Sequence, residues 1–259
     1  MTPFLAVTEH TYVATVPFTH EGRDEDVTVG LVVGTEAALL VDAGVNPERG
    51  RQLVEAAAAV TPLPLTTVVL THGHFDHVDG IAGVGAETVI AHESIASSVD
   101  ATRSVAVAAA VDLGGGVRVE AVHLGRGHTD GDLVVVVPGD DVVFAGDLVE
   151  SAGPPQYGPD SFPHEWPATL DGLIGMITDR TVVLPGHGTP LDRAAVFEQR
   201  SRIAAVSGEM DRLAALGVGV EDAELVGGWA LPFSAVREGY AAGVRQAGAT
   251  QPRRSLPLV

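Results

Sequence analysis

The chain predicts an α/β fold, specifically an αββα four-layer sandwich. Three observations carry this. Strand-like segments come first, then alternate with helical ones, then return before a helical end. Apolar residues make up 46% of the 259 residues, enough for a sizeable core. Charged residues are only 19%, too few for a disordered chain. Two sheets packed face to face with helices outside satisfy that order.

The segments TYVATV (11–16), VTVGLVV (27–33) and ALLVD (38–42) are β-branched and apolar, parted by turn residues such as Glu21-Gly22 and Gly34-Thr35. Pro47 opens a helix over 47–60, since proline suits a first turn and the alanines that follow favour helix. PLTTVVL (64–70) reads as a buried strand and TVIAH (88–92) as a short one. Gly114-Gly115-Gly116 joins AVAAAVDL to VRVEAVHL in a hairpin. DLVVVVP (132–138) and DVVFAGD (141–147) form another, turned at Gly139-Asp140. Residues 150–164 are a Pro/Gly-rich loop, 165–178 a helix and 181–185 a strand. Residues 191–217 have apolar side chains at helical spacing, and 220–247 read as helix broken at Gly227-Gly228 and Pro232. No boundary or repeat divides the chain, so one domain over 1–259 is expected, its helical C-terminal part at about 191–247.

The formal net charge of −19 opposes polyanions, because nucleic-acid binding needs Lys and Arg to neutralise phosphates. No cysteine is present, so disulfides and thiolate ligands are excluded. The first residues lack the basic and apolar regions of a leader, and no apolar run reaches membrane-spanning length. A cytoplasmic protein with a small-molecule substrate, and no nucleic-acid or membrane partner, is expected; the oligomeric state is left open.

The chemistry gathers in one run. His72, His74, Asp76 and His77 put three imidazoles and a carboxylate into six residues after a strand. Neutral imidazole and carboxylate suit zinc, iron or manganese. Four such side chains fit poorly on one ion, and two ions about 3.5–4 Å apart divide them naturally. His128 in a Gly-rich turn, Asp147 at the end of VVFAGD and His187 in LPGHG are further ligand types beside strand ends. An ionised Asp147 ending so apolar a strand needs a compensating charge. His92 and His123 sit in or beside strands without a ligand pattern, and structural roles are expected for them, as for His10 and His20.

These residues resemble the metallo-β-lactamase superfamily. The HxHxDH signature stands as His72-x-His74-x-Asp76-His77, and GHT (127–129), AGD (145–147) and GHG (186–188) follow in family order. Asp42 in VDAG matches an early family motif behind the ligands. The motifs span 42–188, and the last 70 or so residues carry none. The resemblance implies an αββα fold with two divalent metal ions, zinc foremost, though iron or manganese also suits the set. His72, His74 and His128 would hold one ion, Asp76, His77 and His187 the other, with Asp147 between them. It further implies a metal-bridging hydroxide attacking a small acyl substrate, with catalytic roles for Asp76 and Asp147. Asp42 would hold a ligand histidine by its second nitrogen.

Departures narrow the substrate. Glu150 stands where the best-known β-lactamases carry a Lys that grips the drug's carboxylate, and where acyl-homoserine lactonases carry a Tyr. Glu150 thus argues against efficient β-lactam hydrolysis and departs from the lactonase pattern; the expectation is a hydrolase of a small ester, thioester, lactone or similar acyl substrate. A mononuclear iron persulfide dioxygenase and weak β-lactam hydrolysis are the alternatives. Tyr157, Phe162, His164 and Trp166, on or just after the loop that leaves Asp147, are candidate substrate contacts, with packing the Pro-rich loop down as their alternative role.

Overall fold

A computed structural model describes residues 3–250. Seven strands form the first sheet in simple sequence order: β1 (Leu5–Ala6), β2 (Thr11–His20), β3 (Arg23–Val33), β4 (Ala38–Val41), β5 (Leu65–Val69), β6 (Thr88–His92) and β7 (Arg103–Val105). Five more, β8 (Ala108–Asp112), β9 (Arg118–Val122), β10 (Val134–Val137), β11 (Val142–Gly146) and β12 (Val182–Pro185), form the second in the order β12-β11-β10-β9-β8. Helix α1 (Pro47–Val60) and the single turns α2 (Phe75–Val78) and α3 (Ile81–Val84) lie against the first sheet. Helices α4 (Trp166–Met176), α5 (Arg193–Ala215), α6 (Val220–Val226) and α7 (Phe233–Thr250) belong with the second.

Three apolar cores separate four layers. Between the sheets, Leu39, Val41, Val69 and Ile90 meet Val119, Leu133, Val135 and Phe144. Outside the first sheet, Leu53, Ala56 and Ala57 of α1 cover Val29, Leu40 and Val68. Outside the second, Leu170 and Leu173 of α4, Ile203 and Val206 of α5, and Val236 and Tyr240 of α7 cover Val134, Val143 and Val183. The alternation along each strand decides which side chain enters which core.

Differences from the sequence reading are local. β2 and β3 run on through the polar stretch 17–26 as one long hairpin turned at Glu21-Gly22. Apolar alternation ends at Val16 and Val27, but ladder hydrogen bonds do not need it. The Gly139-Asp140 turn is a 3₁₀ turn over Pro138–Asp140, and α2, α3, β1 and β7 are too short to leave a pattern. In the tail, α6 and α7 flank the predicted break.

Topology places the site. β4 and β5 are parallel, as are β11 and β12. Their C-terminal ends therefore open at one edge of the sandwich, where ligand sites of α/β sheets collect. Leu133 N–H donates to Thr71 O (2.7 Å) and Thr28 N–H to Gly186 O (2.7 Å), joining the two sheets across that edge.

Candidate metal centre

All seven predicted ligands meet at this edge. Their donor atoms fall into two groups: His72, His74, His128 and Asp147 in one, Asp76, His77 and His187 in the other. His72 follows β5, and Asp76 and His77 ride on α2, whose backbone is tied down where Ala43 N–H donates to His77 O (2.8 Å). Asp147 and His187 follow β11 and β12.

Asp147 faces both groups. Its Oδ2 lies 3.4 Å from His128 Nε2, 3.4 Å from His187 Nε2 and 3.7 Å from His72 Nε2, and its Oδ1 lies 3.3 Å from His77 Nε2. Asp76 Oδ2 stands 3.2 Å from His187 Nε2. Only a glycine fits beside Asp147, since a Cβ on Gly186 would sit 1.9 Å from Asp147 Oδ1.

Each imidazole spends one nitrogen on the protein and turns the other inward. His77 Nδ1 pairs with Asp42 Oδ2 at 2.8 Å, His128 Nδ1 with Gln156 O at 3.1 Å and His187 Nδ1 with Asp26 O at 2.5 Å. His72 Nδ1 meets Thr71 Oγ1 at 3.1 Å, and that hydroxyl donates to Asp42 Oδ2 at 2.9 Å. His74 is reversed: its Nε2 meets Asp160 Oδ2 at 3.1 Å and its Nδ1 faces His128 Nε2 at 2.9 Å. Outer contacts of this kind set the tautomer and aim the inward nitrogen.

The inward atoms fit a cation. His72 Nε2, His77 Nε2 and Asp147 Oδ1 are buried without a hydrogen-bond partner. A buried polar atom left alone is costly, and a divalent ion satisfies several at once. Burial, with His74 and the other imidazoles, drives His128 down to about 4, and His72 is likewise lowered, so both are neutral donors at pH 7. Burial works against charge at His187 too, yet Asp147 and Asp76 carry it up to about 12. Against the same desolvation, His77, His187 and His72 hold Asp147 well below the carboxylate range. Without a metal the carboxylates must draw protons onto these rings; a metal would supply the positive charge instead.

The other expected residues lie elsewhere. Trp166 is fully buried, donates from Nε1 to Leu148 O (3.1 Å) and packs against Tyr157 and His128. Tyr157 is in the same core, and its backbone is bonded to Ala235 and Gly239 of α7. Phe162 lies under the Arg126 guanidinium, 4.3 Å away, and His164 faces Ser207 of α5. None of the four lines the cavity beside Asp147 and His187; Gly153, Pro154 and Gln156 of the same loop do. Aromatic side chains gain more by covering the second sheet than by rimming a wet cavity. Glu150 lines that cavity, with Oε1 accepting from Ser151 N–H (3.0 Å) and Ala152 N–H (2.9 Å). Burial, and then the charge on Asp147, push it up to about 7. His92 and His123 stack on each other 4.2 Å apart, outside the donor groups.

Thr71, Asp160 and the hairpin carbonyl of Asp26 are positioning groups that sequence reasoning missed. Thr71 had a signal, as the hydroxyl residue before His72. Asp160 and Asp26 had none, because nothing local ties them to histidines 86 and 161 positions away.

Imidazole and carboxylate donors at one edge of a two-sheet sandwich form a cluster suited to holding metal. The family comparison agrees. The model of the metallo-beta-lactamase superfamily matches residues 22–103 and 105–187, and the chain belongs to that superfamily. It is 28% identical over 178 residues to a metallo-beta-lactamase type 2 of Bacillus sp. (strain 170), covering 65% of this chain and 69% of that one. It is 31% identical over 172 residues to metallo-beta-lactamase domain-containing protein 1 of Xenopus laevis, covering 64% and 72%. Among solved structures, a metallo-beta-lactamase from Pontibacter korlensis superposes with a TM-score of 0.71 at 23% identity, over 79% of this chain and 99% of that one. The mono-zinc form of the metallo-beta-lactamase FIM-1 from Pseudomonas aeruginosa does so with 0.68 at 21%, over 78% and 94%.

Proposed function

We propose that the chain is a dinuclear metallo-hydrolase of small acyl substrates: esters, thioesters or lactones. The observation that carries this is the meeting of two donor groups on Asp147, whose two oxygens face inward nitrogens of both. His72, His74 and His128 would hold one divalent ion, Asp76, His77 and His187 the other, and Asp147 both. Zinc is the first candidate, and iron or manganese suits the same donors. Bound zinc would supply a water acidified far below its bulk value, to about 7, and an electrophile for a carbonyl oxygen.

The chain's own groups do the rest. Asp76 is buried, at 6% exposure, and its Oδ2 stands 3.2 Å from Nε2 of His187, which lines the cavity. As well as holding a metal, it can orient the attacking water. Asp42 and Thr71 hold His77 and His72 in one orientation. The loop 153–156 and hairpin 23–26 bound the cavity the substrate would enter. The Bacillus relatives are named as β-lactamases, which favours β-lactam hydrolysis as a second activity, but Glu150 gives the drug's carboxylate no counter-charge.

The test is metal content and turnover together. Protein stripped with chelator and reloaded should hold two ions per chain and hydrolyse chromogenic esters, thioesters or lactones faster than phosphodiesters or a β-lactam. Asp147→Asn should lose turnover and metal. Full activity with full metal in that variant would overturn the assignment. One iron per chain with oxygen uptake would replace the hydrolase by a persulfide dioxygenase-like oxidoreductase.

A further inference from the structure

A second cavity lies along the loop that bounds the first. The cavity over the donor groups, about 580 Å³, is lined by charged groups, among them Asp147, His187 and Glu150. The second, about 470 Å³, is walled mainly by the apolar side chains of Pro154, Pro155, Leu191, Ala195, Leu231 and Pro232. The one arginine lining it, Arg202, is paired with Glu198 a turn away on α5. Glu150, Gly153 and Pro154 line both spaces. The divide is lowest at Gly153. That residue is exposed, and a Cβ on it would meet no atom within 4 Å. Bare backbone there leaves a crossing from one space to the other.

The apolar groove keeps a fixed relation to the donor cluster. Gln199, buried at 8% exposure, lines it. Its Oε1 accepts from Glu150 N–H (3.1 Å) and its Nε2 donates to Leu148 O (3.4 Å), both just after Asp147. Ser151 N–H donates to His187 O (3.1 Å). The second N–H of the Gln199 amide has no acceptor among the described residues. Ala195 and Gln199 come from α5, and Leu231 and Pro232 from the link between α6 and α7. All four follow the residues that the family model matches, so the groove belongs to this chain's own C-terminal part. Apolar walls with one open polar group, in a space of this size, suit a small ligand. With its arginine already paired, the groove favours an uncharged, apolar one, whose burial removes hydrocarbon from water.

We propose that the preferred substrate carries a linear apolar chain of medium length, which crosses Gly153 and lies in this groove while the carbonyl sits over the donor cluster. This rests on the hydrolase reading above and names its substrate class. A substrate with only short groups occupies the charged cavity and forgoes the burial. The groove residues act on binding and orientation, not on the reacting bond.

Acetohydroxamate and octanohydroxamate test this by calorimetry on the metal-loaded protein. The shared head occupies the metals, and the chain reports the groove. The octanoyl compound should bind at least about thirtyfold tighter, as a largely buried chain implies. Two variants carry the test into the groove. Ala195→Trp fills it, and Gly153→Leu blocks the crossing at a residue whose backbone is not left-handed. In each the ratio of octanoyl to acetyl affinity should fall toward one. Equal or undetectable binding of both compounds in the wild type would overturn the proposal. So would a thirtyfold ratio that survives in whichever variant folds and holds metal. Three thioesters, S-methyl ethanethioate, S-methyl octanethioate and S-octyl ethanethioate, separate the two readings. Thiol release reports their turnover without background, because the chain has no cysteine. Turnover with no preference for either octyl compound keeps the hydrolase and removes the groove. Chain preference in binding without turnover of any thioester removes the hydrolase and keeps the groove.

Discussion

Asp42 reaches no inward donor atom, yet it organises three groups. It is buried at 2% exposure and accepts from Thr71 N–H (2.7 Å), Thr71 Oγ1 and His77 Nδ1. Its backbone is left-handed (φ 66°), a conformation that Asn and Asp tolerate best. Asp42→Asn therefore removes charge without backbone penalty. Metal affinity should drop about 10–100-fold, read by competition with a chromogenic chelator, with the fold retained. Asp132 offers a pH test. It is buried, accepts only from Thr129 N–H and Oγ1, and is pushed up to about 7 by that burial. A carboxyl whose folded pKa is raised holds its proton in the folded state when the unfolded chain has released it. Its stabilising effect is full below about 4 and is lost as pH rises to about 7. Wild type should thus lose stability relative to Asp132→Asn between pH 4 and 7, with no further change above. Melting curves of both proteins in chelator check this, and a constant difference across that range would refute it.

At the scale of elements, the helical turn carrying Asp76 and His77 is positioned by contact between backbones. Gly80 N–H donates to Gly44 O (2.8 Å), and a Cβ on Gly80 would lie 1.8 Å from Ala43 O. That contact is backbone to backbone, so no side chain can yield. Gly80→Ala should cost about 1–3 kcal/mol or more from overpacking and should also shift α2 away from β4. Reduced metal content at temperatures where the variant is still folded would be the signature. A normal metal count and melting point would show that the edge is softer than this geometry implies. The β2–β3 hairpin shows why some elements escaped sequence reading. Its outer half is polar apart from Pro17 and Phe18, too few apolar residues to show period-two alternation, while ladder pairing continues from Pro17↔Asp26 to His20↔Arg23. The short elements α2 and α3 follow from packing on α1 rather than from any pattern of their own.

For the whole molecule, metal held by these donors would couple the two sheets. The ligands come from both: His72 and His77 from the first, Asp147 and His187 from the second. An ion shared among them should raise global stability, not merely order a loop. At ligand concentrations 100-fold above Kd each site adds about 2.7 kcal/mol. Chelation should then lower the melting temperature by several degrees per site, at about 2–4 °C per kcal/mol for a chain near this size. An unchanged melting curve after metal removal, with metal loss confirmed, would contradict a centre that bridges the sheets. The helices after His187 lie beyond the family match, but they are part of the molecule's core: Ile203, Val236 and Tyr240 are buried with Trp166. No helix among the described residues is long and apolar enough to cross a membrane.

The sequence by itself determined the two-sheet α/β class and singled out the seven residues that the fold brings together at one edge. Both are local signals: alternation along strands, and metal-type side chains set beside glycine at strand ends. Only the tertiary structure decided which groups aim those donors and what surrounds them. Asp160, the carbonyls of Gln156 and Asp26, and the cavity walls come from segments far apart in the chain, and no spacing rule links them to the histidines they serve. The same limit explains Trp166 and Tyr157. Their composition suited a pocket, but the apolar face of the second sheet needed covering, and that larger burial decided their place.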